Sequence, residues 1–135
     1  MFAEFWTDFT AASAANEAYI AGLPQWVRLW VLWMNVVFTV GFVAAIVKVE
    51  ARWLALAMVL TVLGGPLLTM YQGAPTDLWG LVHVILWTPV AVYFVRRWPH
   101  VEKKSVYGVW FTLALATLIV SLVFDVNDVR KFLMA

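Results

Sequence analysis

The residues that decide the fold run from Trp53 to Val95: WLALAMVLTVLGGPLLTMYQGAPTDLWGLVHVILWTPVAVYFV. Asp77 is the one formally charged residue in this stretch. Apolar segments of about 18 residues or more are long enough to cross a hydrocarbon core of about 30 Å as an α-helix. The segment 71–77 contains a Gly, a Pro and the Asp, which are turn-forming residues. The stretch therefore predicts two membrane spans joined by a tight turn.

The composition of the whole chain agrees with a membrane protein. The 135 residues are 64% hydrophobic and 13% charged, with a mean hydropathy of +0.87, which is far more apolar than a soluble domain. A formal net charge of +1 gives no basis for binding nucleic acid or an acidic substrate. The sequence has no cysteine, which excludes disulfides, thiolate catalysis and thiolate-bound metal clusters.

The N-terminal segment predicts an amphipathic helix over residues 2–21. Cleavable signal peptides begin with a basic segment, whereas this chain begins with Glu4 and Asp8, so we expect the segment to be retained. At helical spacing, four aromatic residues fall opposite these acids: Phe2, Phe5, Trp6 and Phe9. We expect this helix to lie in the plane of the membrane interface. Packing on an extramembrane domain of a partner subunit is the alternative.

Hydropathy predicts four membrane spans, at about residues 26–47, 53–70, 78–95 and 106–124. The predicted fold class is an all-α integral membrane protein, a four-transmembrane-helix bundle with an N-terminal amphipathic interfacial helix. We expect residues 1–135 to form a single membrane domain. Pro66 is expected to kink or loosen the second span, because proline lacks a backbone donor and crowds the preceding turn.

Two of the predicted spans have distinct faces. Trp26, Trp30 and Trp33 recur along the first span at helical spacing, which is typical of side chains at the lipid boundary. The polar residues of that span fall on the other side and are expected to meet protein: Arg28, Asn35 and Thr39. A polar stripe also follows the fourth span and continues past its end: Trp110, Ala114, Thr117, Ser121, Asp125 and Asp128.

The distribution of positive charge predicts the orientation of the spans. Six of the nine Lys and Arg residues lie in the two loops on one side of the predicted bundle: Lys48, Arg52, Arg96, Arg97, Lys103 and Lys104. Loops rich in Lys and Arg stay in the cytoplasm. We therefore expect a multi-pass protein of an inner or plasma membrane, with both termini on the non-cytoplasmic side.

His83 is the most informative polar residue, because an imidazole changes charge near neutral pH and burying such a group in a membrane is costly. Binding of haem or a quinone is one hypothesis for it, and a single hydrogen bond to a neighbouring helix is the alternative. His100, the other histidine, lies about 25 Å away along the helix axis, in the basic loop. A two-histidine haem site within one chain is therefore excluded under this topology. No metal site is predicted.

Depth arithmetic predicts a polar cluster in the outer half of the membrane. Under the predicted topology, four spans each bring a polar side chain to a similar level: Asn35, Thr69, His83 and Ser121. Exposing these groups to lipid is costly, so we expect them to face inward together. If they form a small-molecule or cofactor pocket, Asp125 and Arg28 are expected at its rim. A set of ordinary interhelical hydrogen bonds is the alternative.

Three functions are compatible with the sequence. The motifs of metalloproteases, serine hydrolases, phosphate-binding loops and calcium loops are missing, which weighs against an enzyme. The small size, the aromatic content and the amphipathic arm favour a structural or accessory subunit of a larger membrane complex, in contact with lipid and with other subunits or further copies of itself. A homo-oligomeric channel or transporter lined by the polar stripe ranks second. A haem- or quinone-binding redox subunit centred on His83 ranks third.

Overall fold

The structure, a computed structural model, describes residues 1–75 and 79–134. These residues form α-helices and no strands. The helices are α1 (Phe2–Ala21), α2 (Gln25–Ala44), α3 (Val49–Gln72), α4 (Trp79–Arg97) and α5 (Val106–Met134), with a 3-10 turn at Trp98–His100 before α5. The predicted all-helical class is confirmed.

Three of the described helices, α2, α3 and α5, are long and apolar enough to cross a membrane. The 19-residue helix α4 corresponds to the third predicted span, but it contains His83 and Pro89 and ends in Arg96 and Arg97, which lower its hydropathy. The described residues therefore support a membrane protein with three candidate spans, and the fourth span stays a prediction.

Helix α3 ends slightly later than the second predicted span, whose end was placed at about residue 70. Helix α3 continues to Gln72 and ends at Gly73, whose φ of 83° is the left-handed conformation that glycine adopts without strain. The Gly73 N–H donates to the Thr69 carbonyl at 2.8 Å. Thr76 and Asp77, at the end of the predicted turn, lie outside the described residues.

Helix α5 continues ten residues beyond the predicted end of the fourth span at 124, as far as Met134. The sequence contains no Gly or Pro after Gly108, so nothing in the backbone chemistry stops the helix when its hydropathy falls. At the other end, the Ser105 hydroxyl accepts a hydrogen bond from the Gly108 N–H at 2.9 Å and caps the first turn.

The core lies where α4 packs between α3 and α5, with α2 completing the bundle against α3 and α5. Its largest fully buried side chains come from all four helices: Phe38, Leu54, Phe94, Phe111 and Leu118. Phe94 of α4 and Phe111 of α5 stack with ring centroids 4.4 Å apart. Aromatic stacking adds about 0.5–1.5 kcal/mol to the free energy gained by burial.

Two of the three α2 tryptophans join α2 to α5, while Trp26 is 61% exposed, so the predicted lipid-boundary role of these residues stays a prediction. The Trp30 indole N–H donates to Ser121 at 3.2 Å, and that of Trp33 donates to Thr117 at 3.0 Å. An indole N–H in lipid has no acceptor, and the α5 hydroxyls provide one. The opposite side of α2, which was predicted to meet protein, is exposed at Arg28, Asn35 and Thr39.

Helix α1 packs against α3 of its own chain. Ala12 and Asn16 form its buried contact, and the Thr69 hydroxyl donates to the Asn16 side-chain oxygen at 2.6 Å. The aromatic side chains of Phe2 and Trp6 are exposed. The contact with α3 therefore uses the small and polar face of α1, and its predicted position in the membrane interface stays a prediction.

A buried acid closes the end of the bundle where α3 and α5 begin and α4 ends. Glu50 is 5% exposed, and its carboxylate accepts hydrogen bonds from Arg97 Nε at 3.1 Å and from the Tyr107 hydroxyl at 3.2 Å. The Lys48 ammonium lies 5.0 Å from the centre of the Tyr107 ring. We call Glu50, Arg97 and Tyr107 the Glu50 cluster. Each of its carboxylate oxygens has a partner.

Candidate functional site

The site begins with a close approach of α4 and α5 at Gly80. A Cβ atom at this position would lie 2.7 Å from the Asp125 carbonyl oxygen, closer than real Cβ contacts. Only glycine therefore allows the two helices this separation without a shift of the backbone. His83 lies one helical turn further along α4, so the same approach brings it beside the Asp125 side chain.

His83 and Asp125, the His83 pair, are joined by a hydrogen bond of 3.0 Å between Nδ1 and Oδ2. The side chains are 26% and 14% exposed. An ionised carboxylate only accepts hydrogen bonds, so with Asp125 ionised it is Nδ1 that donates. Among residues 1–75 and 79–134, the other ring nitrogen, Nε2, has no hydrogen-bond partner. The pair thus leaves one imidazole nitrogen available to a ligand.

Trp87 holds the imidazole ring from one side. The His83 and Trp87 rings stack with centroids 4.2 Å apart and an interplanar angle of 18°. Trp87 is itself fixed, because its indole N–H donates to the Thr61 hydroxyl at 2.8 Å and its ring meets Phe38 edge-on at 5.3 Å. The imidazole of His83 is thus held at one edge by Asp125 and on one face by Trp87. A ring held in this way is pre-organised, which lowers the entropy that ligand binding costs.

Ser121 lies one helical turn before Asp125 and connects the site to α2. Its hydroxyl accepts the hydrogen bond from Trp30 and donates to the Met34 sulfur at 3.0 Å. Both bonding directions of the hydroxyl are therefore used within the chain. Ser121 positions α2 beside the His83 pair, and a ligand would have to displace one of these partners to reach it.

Two cavities adjoin the His83 pair. The charged cavity, of about 420 Å³, lies between the ends of α1 and α5 and the beginnings of α2 and α4. Its charged and polar side chains, apart from the tryptophan indoles, are Tyr19, His83, Ser121, Asp125, Asn127, Asp128 and Lys131. Four of these come from the part of α5 beyond the predicted span. The additional turns of α5 therefore build one wall of the site.

The apolar cavity, of about 370 Å³, lies between α1, α2, α3 and α4. Most of its lining is aliphatic, aromatic or thioether, and its polar side chains are few: Ser13, Asn16, Asn35, Thr61 and His83. Volumes of about 300–1,000 Å³ with an apolar lining and a few convergent polar groups are typical of small-molecule sites. His83, Leu23, Val31 and Met34 line both cavities, so the imidazole stands where the two meet.

The structure brings together some of the predicted cluster and separates the rest. His83, Ser121 and Asp125 line the charged cavity, whereas Asn35 lines the apolar cavity with His83. Thr69 bonds to Asn16 of α1, and Arg28 is exposed and lines neither cavity. Lys131 takes the rim position that was predicted for Arg28, because α5 extends further than expected.

Asn16, Trp87 and Lys131 were not predicted as site residues, and Asp128 was predicted only as part of the polar stripe of the fourth span. Helical spacing was an available signal for Asp128, since residues three apart, such as Asp125 and Asp128, share a helix face. Trp87 lies one turn after His83, which places the two on the same face of α4. Asn16 gave no signal, because the contact between α1 and α3 depends on tertiary packing.

The groups around His83 decide what this site could hold. Within the described residues no group of three His, Asp or Glu side chains converges as metal ligands do. A haem would have a single nitrogen ligand from this chain, since His100 lies in the turn at the far end of α4. Phe38 and Trp87 give the apolar cavity an aromatic wall beside His83, and the imidazole can donate a hydrogen bond to a ring carbonyl there when Nε2 carries a proton.

The described helices define an all-helical protein with helices capable of crossing a membrane. Comparison with known protein families, curated proteins and solved structures finds no match to this chain. The case for a function therefore depends on the geometry around His83.

Proposed function

We propose that this protein is a membrane subunit that binds a small amphipathic molecule with an oxygen-bearing ring, a quinone being the best fit, at His83. The observation that carries the proposal is the hydrogen bond from His83 to Asp125 at the junction of two cavities. A histidine that only linked two helices would need no cavity beside it. The ring oxygen would meet Nε2, and the ring itself would occupy the apolar cavity.

The lining of the apolar cavity supports an aromatic or quinonoid ring. Phe38 and Trp87 form part of the apolar wall of the cavity, with their rings edge-on to one another, and aromatic rings prefer such edge-on or offset contacts with a further ring. Met34 and Met58 also line the cavity, and methionine side chains adapt to rings of varied shape. The few polar side chains then fix the orientation of the ligand.

The polar stripe of α5 gives less support to a channel. Thr117 and Ser121 are 2% and 4% exposed and are occupied by the indole N–H groups of Trp33 and Trp30. A pore lining has to keep its polar groups open to water. We therefore place ligand binding ahead of conduction.

We infer that the exposed aromatic face of α1 makes the protein an accessory subunit as well as a binding protein. Phe2 is 79% exposed and Trp6 57% exposed, although both are large apolar side chains. An aromatic face opposite the acidic Glu4 and Asp8 suits the bilayer interface. In this proposal α1 is an amphipathic interfacial helix that is docked to α3 by Asn16.

We further propose four spans, with α4 as the third in chain order and both termini on the non-cytoplasmic side. The excess of Lys and Arg in the loops 45–48 and 98–105 and in the flanking helix ends supports this orientation. Reporter fusions test it. We expect an external signal from a fusion after Ala135 and a cytoplasmic one from an insertion at Lys103, and the opposite pair of signals would contradict the topology.

The test of the binding proposal uses decylubiquinone as the probe and protein reconstituted in lipid nanodiscs. We expect saturable binding that His83→Leu weakens about tenfold or more, because a hydrogen bond to an imidazole is lost. His100→Leu is the matched control, since His100 is exposed and lies at the far end of α4. Circular dichroism would verify that both variants remain helical.

Two outcomes would contradict the binding proposal. Wild-type protein that does not bind the quinone above the empty-nanodisc background would remove the assigned ligand class. Equal affinity of the wild type and His83→Leu would remove the assigned site. A visible absorption spectrum of the purified protein separates the haem alternative, because a bound haem gives a Soret band and a quinone does not.

A further inference from the structure

We infer that His83 takes up a proton from the charged cavity when it binds a ring carbonyl, so that the site distinguishes the oxo form of a ligand from its hydroxyl form by pH. This inference depends on the proposed binding site. It assigns the ligand class more narrowly, as rings whose oxygen alternates between carbonyl and hydroxyl. It also gives the charged cavity a role, as the route by which a proton reaches the imidazole.

The position of His83 supports this role. Asp125 lines the charged cavity and does not line the apolar cavity, whereas His83 lines both. The Nδ1 atom is held at Asp125 and His83 lines both cavities, so the imidazole lies at their boundary. A proton that arrives from the charged cavity and a ligand that occupies the apolar cavity therefore meet at the same ring.

The protonation state of the ring decides which ligand form it can bind. With Nδ1–H donated to Asp125, a neutral imidazole presents a lone pair at Nε2 and accepts a hydrogen bond from a hydroxyl group. A protonated imidazole presents Nε2–H and donates to a carbonyl oxygen. In the proposed step, one proton taken up from the buffered solution adds to Nε2, and the resulting imidazolium donates that N–H to the carbonyl. No bond within the ligand breaks and no electrons are transferred.

An acid and an aromatic face lie against the imidazole ring. The Asp125 carboxylate lies against Nδ1, and the face of Trp87 lies against the imidazole plane, where a cation is attracted by the ring quadrupole. Three more titratable groups of the described residues line the charged cavity, from α1 and α5: Tyr19, Asp128 and Lys131. The parts of α2 and α3 that line the two cavities contribute no titratable side chain among the described residues.

The test is the pH dependence of the dissociation constant for decylubiquinone and, under anaerobic conditions, for decylubiquinol. Uptake of one proton per ligand predicts that quinone affinity falls about tenfold for each pH unit once the free imidazole is neutral. The quinol should show no such fall. His83→Gln should abolish the pH dependence of quinone binding, and the matched control His100→Gln should retain it.

Asp125 is a positioning residue in this proposal, and Asp125→Asn tests it. Asparagine still accepts the Nδ1–H bond but no longer stabilises a positive ring, so quinone affinity at neutral pH should fall about tenfold while quinol affinity changes less than about threefold. A structural role alone would weaken both ligands equally. Calorimetry in buffers of different ionisation enthalpy gives an independent count of the protons taken up.

The outcomes separate this inference from the proposal on which it depends. If the wild type binds neither ligand, the proposed binding site is wrong and the proton uptake falls with it. If the wild type binds the quinone with no dependence on pH, or if His83→Gln keeps the wild-type dependence, the binding site stands and the proton uptake is overturned. Equal losses of quinone and quinol affinity in Asp125→Asn would also overturn it.

Discussion

The two ends of the bundle each hold an acid beside a nitrogen base, and they differ in what the pair leaves open. In the Glu50 cluster both carboxylate oxygens accept hydrogen bonds from Arg97 and Tyr107. In the His83 pair one hydrogen bond is made, the Nε2 atom has no partner among the described residues, and two cavities adjoin the ring. A saturated pair can only hold helices together, whereas an unsaturated pair beside a cavity can also bind.

The largest predicted effect on stability belongs to the end of the bundle that holds the Glu50 cluster, which we call the closed end. Glu50→Gln replaces an acceptor of two hydrogen bonds by an amide that can accept only on one side, so we expect the free energy of unfolding to fall by about 3 kcal/mol. Partial exposure of Arg97 limits the loss, because water solvates the unpaired guanidinium. Unfolding by SDS titration measures it.

The matched control for this change is Glu102→Gln, which alters an exposed carboxyl in the loop between α4 and α5. It should leave the unfolding free energy within about 0.5 kcal/mol of the wild type. A Glu50→Gln protein as stable as this control would show that the Glu50 cluster does not hold the closed end together.

The next largest effect concerns the close approach of α4 and α5 at Gly80. This approach forms the end of the bundle that holds the His83 pair, which we call the open end. Gly80→Ala puts a methyl group against the Asp125 backbone, so α4 and α5 must separate, and we expect a loss of about 2 kcal/mol in unfolding free energy. Gly65→Ala is the comparison, because its Cβ would meet no atom nearer than 3.9 Å. If both alanine variants have the same stability, the close approach at Gly80 does not set the position of Asp125.

Much of this architecture follows from the sequence, and the exceptions have physical reasons. The helix over 2–21 and the positions of the apolar helices follow from periodicity and hydropathy, which are local. The end of α5 does not, because a helix can continue past the apolar segment when no Gly or Pro stops it. The tryptophans of α2 were placed towards lipid by their boundary preference, and that preference did not reveal that the indole N–H groups of Trp30 and Trp33 find acceptors on α5.

The residue types of the site could be predicted from the sequence, but the contacts between particular side chains could not. His83, Ser121 and Asp125 were selected because polar groups are costly in a membrane, and depth arithmetic brought His83 and Ser121 to the same level and placed Asp125 at the rim. Asn35 was expected to join them on the same argument, but depth does not determine the rotation of a helix, and Asn35 lies on an exposed side of α2. Contacts between distant segments, such as Asn16 with Thr69, cannot be obtained from periodicity.

The smallest predicted effect tests how α1 contributes a wall to the apolar cavity. Thr69→Val removes the hydroxyl that donates to Asn16, and we expect a loss of about 1 kcal/mol, confined to the docking of α1. Amide hydrogen exchange in α1 should accelerate while that in α5 stays constant. Thr39→Val, at an exposed position of α2, is the control. Unchanged exchange in α1 would show that this hydrogen bond does not hold the helix.

The most direct test of the account compares His83→Gln with Glu50→Gln in the same nanodisc preparation, with quinone affinity and unfolding free energy measured for each. We expect opposite effects of the two substitutions on quinone affinity and on unfolding free energy. His83→Gln should weaken decylubiquinone binding about tenfold or more and change the unfolding free energy by less than about 1 kcal/mol. Glu50→Gln should lose about 3 kcal/mol of stability and, while folded, bind the quinone within about twofold of the wild type. Wild-type affinity in His83→Gln, or an equal loss of affinity in both folded variants, would contradict the claim that the open end is a binding site and the closed end is not.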